Sequence, residues 1–163
     1  MRLPSLILTL ALAAPAFVPA QTTRQLAQQD PKALLQIMRT NVDRISPSLE
    51  WQRWTDNILL WEGRLARDGA FEPAELDRLR ASLRSIANIV AQLVGPEERG
   101  RWELNRDLWS AMLRQNGTPS EASLREMRAM LRAMQANVAK IAAMGELERW
   151  QANCNLWKAA LGA

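Results

Sequence analysis

The residues that invite a chemical reading recur as a set of two tryptophans, an asparagine, an arginine and a glutamate. The first set is Glu50, Arg53, Trp54, Asn57 and Trp61. The second is Glu98, Arg101, Trp102, Asn105 and Trp109, and the third Glu146, Arg149, Trp150, Asn153 and Trp157. With a leucine before the last tryptophan, each reads E-x2-R-W-x2-N-x2-L-W. At about 100° per residue, the two indoles and the amide fall on one helix face, with the glutamate one turn ahead. Glu50 and Arg53 stand at i, i+3, and Arg53 and Asn57 at i, i+4, spacings at which side chains on one helix meet. Two chemistries suit the set. In one, the indoles stack on a glycan or planar ligand while amide and guanidinium bind its polar edge. In the other, the set is a packing and register device: an enclosed amide costs about 1–3 kcal/mol unless partnered, so it bonds across to a facing helix. Tryptophan at helical spacing favours the second, a structural repeat motif.

Other chemistries are thinly represented. The chain has no histidine and no tyrosine, which removes His-based triads and the usual general base near neutral pH. No phosphate-binding glycine loop or nucleophile elbow occurs. Glu103 and Asp107 form an i, i+4 carboxylate pair, but Arg99 and Arg106 flank them and ion pairing is the simpler role. The expectation is a protein that is not an enzyme and needs no cofactor. Met127, Met130, Met134 and Met144 offer thioethers of the kind that bind Cu(I). Met127 and Met134, however, stand where the preceding copy has Leu79 and Ile86, which points to core filling. Cys154, the single cysteine, occupies the stripe position of Ile58 and reads as a buried small hydrophobe.

The elements that position these residues follow from the period. Trp54, Trp102 and Trp150 are 48 residues apart, and a fixed period of this size marks an array of supersecondary units. It exceeds the tetratricopeptide length, and that consensus is absent. Asp30-Pro31 caps and opens a helix carrying Leu35, Met38, Val42 and Ile45. Ser46-Pro47 starts the next, which carries the motif and ends near Asp68-Gly69. The later units repeat this with stripes Leu76–Leu93 and Leu124–Ile141, with breaks at Gly95-Pro96, Asn116-Gly117 and Gly145. The prediction is an all-α fold of three tandem antiparallel helical hairpins, residues 22–69, 70–117 and 118–163. They pack as a compact six-helix bundle or a short αα-solenoid. The terminal copies keep both tryptophans, which favours the compact form over a solenoid with polar end units.

Met1 to Ala20 reads as a signal peptide: Arg2, an apolar run, then small residues before Gln21. Residues 21–163 then form one helical-repeat domain with no transmembrane segment, placed in the periplasm or secreted. Without Arg2 it holds 20 basic and 17 acidic residues, a net charge of +3 against +4 for the whole sequence. The signs are mixed along the helices, so no nucleic acid is expected as a partner. The expected function is that of a binding, interaction or chaperone-like module. The alternatives are a small-ligand or lipid carrier with Trp-lined hairpins, and a Met-based periplasmic copper binder. The copies differ most in the middle motif helix. There Arg99 stands where the others have Trp51 and Leu147, and Arg106 where they have Ile58 and Cys154. With Arg101 and Trp102 they compose a predicted partner-binding surface for an acidic protein, glycan or lipid headgroup.

Overall fold

Pro, Ser and Gly punctuation divides the chain into helices, and the computed structural model describes residues 30–163. The predicted leader and the start at Gln21 lie outside these residues. Six helices and no strand are found among them: α1 (Pro31–Val42), α2 (Leu49–Leu65), α3 (Pro73–Val90), α4 (Pro96–Arg114), α5 (Glu121–Val138) and α6 (Met144–Leu161). Proline is at the first position of α1, α3 and α4, where its missing N–H costs nothing. Ser48, not Ser46, caps α2 by accepting from the Trp51 N–H at 3.3 Å. Pro47 thus precedes the cap and keeps the chain extended there. Ser120 caps α5 in the same way through the Ser123 N–H.

The first arms are shorter than their apolar stripes. α1, α3 and α5 stop at Val42, Val90 and Val138, and one further tight turn follows in each copy. In it Ile45, Leu93 and Ile141 donate to the carbonyls of those valines at 2.9–3.1 Å. The i→i−3 turn carries the last stripe residue onto the core without continuing the α-helix.

Each helix packs on its neighbours in the chain, and α1 packs on α6, so the hairpins close into a six-membered ring. Of the two predicted arrangements the closed bundle is the one found. The motif helices α2, α4 and α6 point their indoles inward, and six tryptophans fill the centre at 0–1 % exposure. Gly63 lets α2 approach α3 closely: a β-carbon there would lie 2.8 Å from the Leu79 side chain. At the far end the inter-hairpin links touch. The Phe71 N–H donates to Asn116 Oδ1, and Gly117, at φ +79°, lies against the Gly69 carbonyl. Arg128 of α5 donates twice to the Leu161 carbonyl at the end of α6. No described helix is long and apolar enough to cross a membrane.

Candidate functional site: a threefold core and the groove of the middle hairpin

The repeated motif forms a column of layers around a pseudo-threefold axis. Trp54, Trp102 and Trp150 make one layer, with ring centroids 4.9 Å apart and planes near 67°. Trp61, Trp109 and Trp157 make another at 4.6–4.7 Å. Such edge-to-face contacts suit the indole quadrupole. Between them lies a closed cycle of amides. Asn57 Nδ2 donates to Asn153 Oδ1, Asn153 Nδ2 to Asn105 Oδ1, and Asn105 Nδ2 to Asn57 Oδ1, all at 3.0–3.1 Å. Each carbonyl also accepts an indole N–H: Trp61 on Asn153, Trp109 on Asn57 and Trp157 on Asn105, at 2.8–3.0 Å. The amides are 0 % exposed. The indoles and amides therefore fill each other's space at 0–1 % exposure, with Trp61 forming part of the wall of a cavity of about 210 Å³ beside Arg64, Arg67 and Leu156.

The motif's charges bridge copies as well. Arg53 pairs with Glu98, Arg101 with Glu146 at 2.6 Å, and Arg149 with Glu50 at 2.7 Å, closing a second cycle. The i, i+3 pair Glu50–Arg53 and the i, i+4 pair Arg53–Asn57, expected within one helix, are not the ones formed. Reaching across lets each guanidinium lie over the next copy's indole, Arg53 over Trp102, Arg101 over Trp150 and Arg149 over Trp54, at 5.4–5.8 Å. That adds cation–π attraction to the ion pair. The glutamates sit in the first turns of the motif helices, where the helix dipoles favour negative charge. Burial pushes the Arg53 guanidinium below its ordinary value, against the pull of Glu98, Glu50 and Glu146.

The four residues of the predicted partner surface fall in three places. Arg101 and Trp102 belong to the enclosed column. Arg99 ties the two arms of its hairpin together, donating to the Ala91 carbonyl at the end of α3 and lying 3.4 Å from Glu103. Arg106 grips Asp107 through Nε and Nη2 at 2.8–2.9 Å, on the outside of the hairpin. The three guanidiniums do not surround an exposed indole: the cation over Trp102 comes from Arg53 of the preceding hairpin. The carboxylates of Glu103 and Asp107 are thus ion-paired. Met127 and Met134 are enclosed, Met130 is partly buried, and Met144 is exposed at the start of α6. The four thioethers are spread between core and surface.

Arg106 does belong to a site that sequence reasoning missed. Between α3 and α4 lies an open cavity of about 310 Å³, lined by Arg80, Leu83, Arg84, Ala87, Arg106, Asp107 and Ser110. The same groove in the first hairpin is bridged by an ion pair between Arg39 and Glu62. One period later these two positions are Ala87 and Ser110, so the bridge is gone and small side chains leave the groove open. Arginine moves instead to the rim: Arg106 replaces Ile58, and Arg84 replaces Gln36. Arg80 lies 3.6 Å from Asp77, while Arg84 has no ion pair among the described residues. In the third hairpin Gln135, Cys154, Asn155 and Lys158 line a smaller cavity of about 220 Å³. Burial pushes the Cys154 thiol up to about 12, so it stays protonated there. Comparing the copies at 39/87/135 and 62/110/158, off the apolar stripes, would have revealed the groove. Among the described residues no three His, Cys, Asp or Glu side chains converge as a metal site requires.

Comparison with known proteins finds no family model, no curated protein and no solved structure that matches the chain.

Proposed function

We propose that the chain is an exported, non-catalytic binding protein that presents its middle hairpin to an anionic partner. The observation that carries this reading is the contrast between hairpins. Where the first is closed by Arg39–Glu62, the second has an open groove edged by Arg80, Arg84 and Arg106. The three motif copies are spent on one another in the column, so function belongs to positions at which the copies differ. Guanidinium forks bind carboxylate and phosphate oxygens in pairs, which suits a rim of this composition. The absence of histidine and the ion pairing of Glu103 and Asp107 support a role in binding rather than catalysis.

The test is native mass spectrometry of protein isolated from its own host at low salt. Wild type is compared with Arg84→Ala/Arg106→Ala and with the control pair Arg78→Ala/Arg125→Ala. A bound species kept by the control and lost from the groove variant supports the reading. A species retained by both, or lost from both, places binding elsewhere. N-terminal sequencing of the same material should find the chain starting near Gln21; Met1 retained on a cytoplasmic protein would remove the export half of the proposal.

A further inference from the structure

Resting on that reading, we infer that the groove's ligand is a small anionic amphiphile: a carboxylate or phosphate monoester carrying a short apolar body. The lining has two chemistries side by side. Arg84 and Arg106 face the cavity from opposite helices, and Ser110 adds a hydroxyl. Between them the wall is Leu83 and Ala87, both apolar and only partly covered by the rest of the chain. A bare anion would use the rim and leave this wall wet. An apolar molecule without a head group would leave Arg84 unpaired beside it.

Arg84 is the natural anchor. Arg106 is already held by Asp107 and Arg80 by Asp77, whereas Arg84 has no carboxylate of its own among the described residues. With Arg80, Arg84 and Arg106 against Asp107, the lining carries an excess of two positive charges, the complement of a singly or doubly charged head. Size sets the body. The lining on α3 runs from Arg80 to Ala87, which at 1.5 Å per residue is about 10 Å of helix, room for a chain of about eight carbons. The cavity, at about 310 Å³, is at the small end of ligand sites. A long-chain lipid would have to leave most of its tail in water, so the site selects short chains or a single ring.

The experiment is isothermal titration of the full chain, with NMR shift mapping, using named probes. These are acetate, inorganic phosphate, octanoate, octyl phosphate and octyltrimethylammonium, with hexanoate and dodecanoate for length. Octanoate, six methylenes longer than acetate, should bind at least several hundredfold tighter than acetate, and octyl phosphate should exceed phosphate by a similar factor. Affinity should rise about three- to fourfold per methylene up to about eight carbons and then level off. Shifts should centre on Leu83, Ala87 and Ser110, and Arg84→Ala should weaken both octyl anions about tenfold or more. The stronger of the two anions then tells a carboxylate ligand from a phosphate one. Octyltrimethylammonium binding as tightly as octanoate would overturn the inference, because the groove would then be apolar only. Phosphate binding as tightly as octyl phosphate would overturn it too, while leaving the anionic-partner reading intact. If no octyl probe binds but the host-derived species is still lost in Arg84→Ala/Arg106→Ala, the amphiphile is wrong and the groove is right. If neither happens, both fall. Ala87→Arg with Ser110→Glu, which rebuilds the first hairpin's bridge, should abolish octanoate binding with the fold intact.

Discussion

Each asparagine of the amide cycle is both donor and acceptor, so removing one disturbs three partners. Asn57→Leu leaves Asn105 Nδ2 and Trp109 Nε1 without their acceptor and takes a donor from Asn153. At about 1–3 kcal/mol for each buried group left unpaired, the single substitution should destabilise the chain by roughly 2–5 kcal/mol in urea unfolding. The triple Asn57→Leu/Asn105→Leu/Asn153→Leu should lose clearly less than three times that, since the amides no longer orphan one another. It should keep its helicity while its unfolding broadens. Additive losses with an unchanged transition would argue against a register role. Cys154 gives a pH test. Its folded value, about 12, lies above the ordinary 9.0. Below pH 9 both states hold the proton; above it the unfolded state loses the proton first. Stability should therefore fall between pH 9 and 12, by up to about 1.4 kcal/mol per pH unit from this group. Cys154→Val should remove that part of the slope.

At the scale of single elements, the structure separates two serines that look alike in sequence. Ser48→Ala should cost about 1 kcal/mol, the usual worth of an N-cap, while Ser46→Ala should stay within about 0.5 kcal/mol; equal effects would put the start of α2 back at Pro47. Helix existence and order were legible because the 3-4 stripes and the Pro and Gly breaks agree, as Pro31, Pro73 and Pro96 show. Boundaries were less legible. The stripe runs on through Ile45, Leu93 and Ile141, and a pattern of apolar spacing does not distinguish a last α-turn from the tighter turn that replaces it. The motif's partners were illegible for a related reason. Spacing along one helix suggests Glu50 for Arg53, whereas the true partner, Glu98, is 45 residues away and is brought close only by closure. The surface predicted around Trp102 failed to assemble on the same account. The residues that open the groove, Ala87 and Ser110, are small and apolar or neutral, and a search for reactive side chains passes over them.

For the molecule as a whole, closure changes what a repeat is worth. In an open solenoid each unit touches only its neighbours, and an internal unit is removable at a graded cost. Here every motif copy bonds to both others, and α1 lies on α6. Deleting residues 70–117 takes Trp102, Asn105 and Trp109 out of all three layers, and Arg101 out of the ion-pair cycle, at once. The monomeric two-hairpin remainder should show no cooperative thermal transition and only partial helicity by circular dichroism. A sharp transition in that monomer would mean that the hairpins stack without needing the ring.

The six central indoles also make the molecule its own optical gauge. Chromophores packed edge to face within 4.6–4.9 Å in two chiral triangles couple their electronic transitions. The folded ring should therefore carry an exciton-coupled circular-dichroism signature that no single hairpin owns. Trp51, half-buried and outside both triangles, serves as the internal reference. The loss of one signal relative to the other reports when the triangles come apart, with no label added.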